Sequence, residues 1–302
     1  MRAIFAVPGL GVVLLLAGCA DSKWSLFRHS QDTVRLPTDK LPTAMELVTR
    51  QNTNARQIPS FICTHLELDC ESGGQSIHIP DGKLACQKPR NFCLQAEVLG
   101  RPEALIGSNQ DEFWYWVKRG DPYLIHCSYQ DLANGGVRLP FPFQPEWVIE
   151  ALGMSEYDMD PAQYVVQPNG RTIQLIQTTR NLQGQPVRKV TEFNPTNLRV
   201  AAHILQSASG KEICRAQIDD MHDLGRGIVL PRKIAFTYPA EGFKMKMLLG
   251  QRASDINIYQ QLSPQQAELL FRRPNLSGVQ NYDLARGPEG PNQLAPVGGL
   301  QR

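Results

Sequence analysis

Period-two alternation of apolar residues in the second half of the chain constrains the fold more than any other feature. Residues 198–205 alternate Leu198, Val200, Ala202 and Ile204, and residues 211–218 alternate Cys214, Ala216 and Ile218. Residues 231–238 alternate Ile234, Phe236 and Tyr238; residues 243–249 alternate Phe243, Met245, Met247 and Leu249, with Lys244 and Lys246 opposite. Successive side chains of a strand point to opposite faces, so each run builds one apolar face and one wet face. Runs of this kind, separated by turn signals about every ten residues, predict an antiparallel sheet packed on one side. Gln167-Pro168-Asn169-Gly170 adds a hairpin turn, because Asn-Gly tolerates the positive φ of a two-residue connection.

The first half carries shorter strands, at 61–69, 82–87, 91–98, 104–108, 112–118 and 123–128. The pair 82–87 and 91–98 reads as a hairpin around Pro89, and 112–118 carries Phe113-Trp114-Tyr115-Trp116. Helices are expected at three places. Residues 42–57 have Thr43 as N-cap with Glu46 at capping-box spacing; Glu146 to Leu152 stop at Gly153; Ser263-Pro264-Gln265-Gln266 opens a helix through about Phe271. Residues 138–145 are a Pro-rich crossing. A sheet of about a dozen strands in this order must curl, with the three helices over its concave side. The fold class is therefore mainly β with a few helices (α+β), a curled antiparallel sheet under short helices.

The chain of 302 residues is long enough for a core that needs no stapling, and its net charge of +2 with 20% charged residues excludes an electrostatic nucleic-acid binder. The N-terminus pairs Arg2 with an apolar stretch from Ile4 to Leu16, interrupted by Pro8, Gly9 and Gly11 and too short to span a bilayer comfortably. Leu16-Ala17-Gly18-Cys19 follows it directly and resembles the bacterial lipobox. That resemblance implies a cleaved signal over 1–18 and lipid modification of Cys19, including palmitate-type acyl chains. Each buried CH₂ contributes about 0.8 kcal/mol, so two or three chains hold a protein stably at a membrane. Residues 19–40 then form a tether. Ala20, where an Asp would favour the inner membrane, implies a cell-envelope lipoprotein of the outer membrane, facing the periplasm.

Further motifs resemble the LolA/LolB family of lipoprotein carriers and receptors, over residues 41 to about 259. Gly82-Lys83-Leu84 followed by Lys88-Pro89-Arg90-Asn91-Phe92 resembles the family's G-x-L and R-P-x-x-F. Ser108-Asn109-Gln110 before Trp114-Tyr115-Trp116 resembles its turn and aromatic strand. Leu230 to Ile234, Tyr238-Pro239, Phe243 to Leu249 and Ile256-Asn257-Ile258 resemble its closing strands. Lys88 and Cys93 stand where the family commonly has Arg. The resemblance implies a half-open β-barrel domain over 41–272, covered by short helices, whose apolar concavity binds an acyl chain or a lipoprotein. Candidate lining residues are Trp114, Trp116, Phe236, Phe243, Met245, Met247 and Leu249. Alternation alone does not distinguish such a lining from a filled core, which would make the chain a structural or interaction lipoprotein instead. Residues 273–302, rich in Gly, Pro, Asn and Gln, read as a disordered tail.

Cys63, Cys70, Cys86, Cys93, Cys127 and Cys214 remain in the mature chain, and six cysteines allow fifteen pairings. A three-residue loop, Lys88 to Arg90, places Cys86 opposite Phe92 and Leu84 opposite Leu94, which argues against a Cys86–Cys93 bridge. Cys63 and Cys70 point to opposite faces if 61–69 is one regular strand. Cys63-x-His65 and His126-Cys127 lack the paired spacing of a metal site. Glu156, Asp158 and Asp160 are either a cation site or an exposed loop. Gly153-Met154-Ser155 is not a nucleophile elbow, and the Gly73-Gly74 and Gly225-Arg226-Gly227 turns are not phosphate loops. No catalytic residue, metal or cofactor is expected, and the chain is read as a monomer.

Overall fold

A computed structural model describes residues 41–118, 122–135, 137 and 145–288. The export segment, Cys19 and the tether, the crossing at 138–144 and residues 289–302 lie outside the described residues. Helix α1 (Ala44–Arg56) precedes β1 (Ser60–Cys63), β2 (Leu66–Ser72), β3 (Gln75–Ile79), β4 (Asp81–Gln87), β5 (Asn91–Val98), β6 (Arg101–Ser108), β7 (Glu112–Val117) and β8 (Tyr123–Ser128). Helices α2 (Tyr129–Ala133) and α3 (Pro145–Ala151) lead into β9 (Tyr164–Asn169), β10 (Thr172–Arg180), β11 (Pro186–Phe193) and β12 (Val200–Ser207). Then come β13 (Glu212–Asp223), β14 (Val229–Tyr238), β15 (Phe243–Leu249), β16 (Ile256–Tyr259), α4 (Pro264–Phe271), β17 (Gln280–Asp283) and β18 (Gly287–Pro288).

The strands form two nine-stranded sheets rather than one of a dozen. One runs β16-β1-β4-β5-β6-β7-β8-β17-β18 and the other β3-β2-β15-β14-β13-β12-β11-β10-β9. Neither closes into a barrel, and every pairing is antiparallel except β17 with β8. The division begins where one strand was expected over 61–69. Thr64 and His65 interrupt it, Thr64 N–H donating to the Asp255 carbonyl at 3.0 Å. β1 then pairs with β4 and β16, while β2 pairs with β15 and β3. The interruption resets the alternation, so Cys63 and Cys70 both face the interior and not opposite sides.

Inward faces of both sheets meet in one core. Phe61, Leu84 and Phe92 from one sheet join Ala216, Phe236 and Met247 from the other, with Trp147 of α3 among them. The β4–β5 register is the one that apolar matching favours: Cys86 opposite Phe92 and Leu84 opposite Leu94. The six cysteines are free thiols in this arrangement. The β9–β10 turn falls one residue later than expected. Asn169 pairs with Thr172, so Gly170, at φ +59°, takes the first central position.

Capping chemistry fixes α1 and α4. Thr43 Oγ1 accepts from Glu46 N–H at 3.2 Å while Glu46 Oε2 accepts from Thr43 N–H at 2.7 Å. Ser263 and Gln266 exchange the same pair of bonds at the start of α4. Leu47 and Val48 of α1 pack on Ile173, Leu175 and Phe193, and α3 fills the interior, so these two helices cover the concave side as expected. α4 does not. Its Phe271 packs with Ala85, Ile62 and Cys93, which lie on the outward face of β1, β4 and β5.

The expected disordered tail is corrected in its first part. β17 adds to the free edge of β8 with Tyr282 beside Ile125, and the Tyr123 and Tyr282 rings lie 5.6 Å apart. Asp283 is buried and accepts from Arg286 at 2.6 Å and from Ala285 N–H at 2.8 Å. Composition argues against self-ordering; an open sheet edge supplies the missing partners. The ordered domain thus extends to Pro288 at least.

Candidate functional site

The residues nominated as ligand lining separate into two groups. Phe236, Phe243, Met245, Met247 and Leu249 share the inward face of β14 and β15, where Phe236 pairs with Met245, Ile234 with Met247 and Tyr238 with Phe243. Phe236, Met247 and Leu249 are buried, and Phe243 and Met245 pack half-buried against the same core. Trp147 closes the space beneath them, its ring 5.5 Å from Phe236 and 6.2 Å from Tyr238, both edge-on. This region is filled interior.

Trp114 and Trp116 lie elsewhere. In β7, Phe113 and Tyr115 face inward, while Trp114 pairs with Gly107 and Trp116 with Leu105 on the outward face. Four aromatic residues in succession carry no alternation, so the sequence offers no parity with which to orient them.

Open space lies beside α1. A groove of about 1240 Å³ runs between that helix and β12–β14 of the second sheet. Its apolar lining includes Met45, Ile173, Leu198, Val200, Ile218 and Met221. Arg50, Asn54, Arg199, Asp223 and His203 add polar groups. Two attachments hold the helix across it. Asn54 Nδ2–H donates to the Val229 carbonyl and Asn54 Oδ1 accepts from Val229 N–H, both at 2.9 Å. Arg50 donates to the Asn197 carbonyl at 2.8 Å.

Beneath the groove lies a buried polar cluster that no sequence motif marks. Glu150 of α3 accepts from Lys189 of β11 at 2.6 Å. Tyr157 Oη lies 2.8 Å from Thr191 Oγ1, 3.4 Å from Glu150 Oε1 and 3.4 Å from His203 Nδ1. Thr191 and His203 are directly cross-strand. Burial opposes the charge on Glu150, but Lys189 and the His203 ring outweigh it and hold the carboxyl below its usual range. Burial, reinforced by Lys189 and opposed by Glu150, lowers His203 to about 4, so its imidazole is neutral at pH 7. Tyr157 is positioned from α1: its backbone exchanges two bonds with the Asn52 amide, at 2.7 and 2.8 Å.

Of the remaining candidates, the acidic segment is a structured loop. Glu156 pairs with Arg56 at 2.8 Å and Lys88 at 3.1 Å, and Asp158 and Asp160 accept backbone N–H groups at 2.8 and 3.0 Å. Burial pushes the Cys63, Cys70 and Cys93 thiols up to about 11. They carry no thiolate at neutral pH.

These two sheets with helices on the concave side make a LolA-like fold. A putative outer membrane lipoprotein-sorting protein domain from Vibrio parahaemolyticus aligns over 76% of this chain and 98% of its own, with a TM-score of 0.50 and 13% identity. A LolA superfamily protein from Nitrosomonas europaea aligns over 77% and 99%, with a TM-score of 0.46 and 13% identity. A DUF1329 family protein from Desulfovibrio piger aligns over 73% and 93%, with a TM-score of 0.45 and 10% identity. No protein-family model matches the sequence, and no curated protein matches it. At such identity the likeness to the Vibrio domain establishes the fold.

Proposed function

We propose that this chain is a cell-envelope lipoprotein, held at the outer membrane through acylated Cys19, that takes an acyl chain or similar amphiphile in the groove beside α1. The groove carries this reading. Its 1240 Å³ has room for an acyl chain, and its lining sets an apolar strip beside nearly as many polar and charged side chains, as an amphiphile requires. The sorting role in the name of the Vibrio domain supports lipid handling as its purpose. The ligand would lie beside α1 and not beneath β15, because Trp147 occupies that space. The function needs no bond-making step.

The filled interior favours a second reading, in which the fold is a scaffold for protein contacts. Native mass spectrometry of the full chain carrying Cys19→Ser separates the two. Co-purifying lipid, or saturable displacement of a fluorescent fatty acid, supports the groove. Absence of both leaves the scaffold. The same variant tests the anchor: it should leave the membrane fraction, and its retention there would overturn the lipid attachment.

A further inference from the structure

We infer that the groove selects an amphiphile with an anionic head, a phosphate or a carboxylate, and that Arg50 and Arg199 hold that head at the β11–β12 turn. This rests on the groove being a ligand site and specifies the end chemistry it takes. Both residues line the groove and both are exposed, so a ligand reaches their guanidinium groups. One residue ties them together. The Asn197 carbonyl accepts from Arg50 Nη2–H at 2.8 Å, and Asn197 Oδ1 accepts from the Arg199 backbone N–H at 2.9 Å. The turn itself is fixed: Asn194 N–H donates to the Arg199 carbonyl and Leu198 N–H to the Asn194 carbonyl, both at 2.8 Å. Leu198, at φ +52°, packs half-buried on the cluster of Leu47 and Val48, which seats the turn against α1.

The charges around them set the sign. Arg50 gives one N–H to a neutral carbonyl, and neither guanidinium has a carboxylate partner among the described residues. Arg56, further along the same helix, pairs with Glu156 instead. Two carboxylates also line the groove, and both are engaged elsewhere. Glu46 turns back on the helix cap, where Oε2 accepts from Thr43 N–H at 2.7 Å and from Thr43 Oγ1–H at 2.9 Å. Asp223 lies across from Val229, where Asn54 is fixed, and accepts from Gly225 N–H at 2.9 Å. The β11–β12 turn therefore carries two uncompensated like charges. An anion between them removes their repulsion, and guanidinium forks suit phosphate and carboxylate oxygens. A neutral head gains nothing from them, and a cationic head is repelled. Leu198, Val200, Ile218 and Met221 continue the lining from that turn onto β12 and β13, a path for the alkyl chain.

The test uses the full chain carrying Cys19→Ser, loaded with N-phenylnaphthylamine, at neutral pH and low salt. Dodecyl phosphate, dodecanoate, dodecanol and dodecyltrimethylammonium, each below its micelle concentration, are compared as displacing ligands. The two anions should bind about tenfold more tightly than dodecanol, the combined size of two exposed charge pairs. In about 0.5 M NaCl that preference should shrink about threefold, because exposed charges are screened. Adding Arg50→Gln and Arg199→Gln together should bring anions and dodecanol within about twofold, weakening the anions and sparing dodecanol. Arg101→Gln, which removes the same charge from the other sheet, should leave the preference intact. Equal affinities in the unmodified groove overturn the inference and leave the groove reading standing. Preference for the cation overturns it too, and would point to Glu46 and Asp223. Inorganic phosphate at about 1 mM should leave the preference in place. If it abolishes the preference, the arginines bind free phosphate and the amphiphile's head is overturned. If none of the four amphiphiles displaces the probe, the groove reading fails and this inference with it. The comparison within the unmodified groove decides the matter even if a variant misfolds.

Discussion

Trp114 of β7 lies flat over Gly107 of β6, its cross-strand partner: a Cβ built on Gly107 would sit 2.5 Å from the indole ring. A glycine inside a strand costs conformational entropy and leaves nothing to pack. Here it makes the room that lets a tryptophan bury to 2% exposure on the outward face of the sheet.

Gly107→Ala should therefore destabilise the protein by about 1–3 kcal/mol through overpacking, although alanine suits a strand no worse than glycine. Urea denaturation followed by tryptophan fluorescence reads both the midpoint and the displaced ring. An unchanged midpoint would mean that Trp114 has another rotamer available.

The Glu150–Lys189 pair is asymmetric, because the Glu150 side chain is 8% exposed and that of Lys189 is 37% exposed. Lys189→Met strands a carboxylate in the interior and should cost about 3 kcal/mol. Glu150→Gln leaves a lysine that can turn to water and should cost about 1 kcal/mol. Equal losses in chemical denaturation would show that the carboxylate has a route to solvent.

His203 gives the protein an acid sensitivity of definite sign. Its pKa is about 4 in the folded chain against an ordinary 6.5, so between those values the unfolded chain binds a proton that the native state does not. Stability is then lost as pH falls through that window, by on the order of 2 kcal/mol between pH 7 and 4.5. His203→Phe removes this contribution. On acidification the urea midpoint of the unmodified protein should fall relative to that of the variant, and a constant difference would contradict the neutral buried ring.

Trp147 is the plug of the interior. Trp147→Ala should cost about 3–5 kcal/mol, because Phe236 and Tyr238 lose their edge-on partner and the rigid sheets cannot collapse into the space. A loss below about 1 kcal/mol would mean that the region under β15 is not packed.

Strands β12 to β15, the β4–β5 register and the capped helices α1 and α4 were readable in the sequence, whereas β3 and β11 were not and β1 and β2 read as one strand. Each readable feature depends on neighbours a few residues apart: an alternation, a turn length, a Ser or Thr three residues before Glu or Gln. The lining residues were half readable. Phe236 to Leu249 share a face as alternation requires, yet whether that face is wall or core depended on Trp147, about ninety residues earlier in the chain.

Sequence alone determined that this chain builds antiparallel β-structure with an apolar side, and its lipobox-like start is legible nowhere else. Tertiary structure decided everything that required choosing a side. In β12 the alternating Ala202 and Ile204 join Ile176 and Val190 in a cluster on the outward face, while His203 and Leu205 turn inward. Both faces of that strand are apolar, so its parity is set by pairing with β11 and β13 and not by its own pattern. The candidate site follows from that choice. A histidine becomes a groove residue only once two sheets and a helix, distant in sequence, have fixed which way the strand faces.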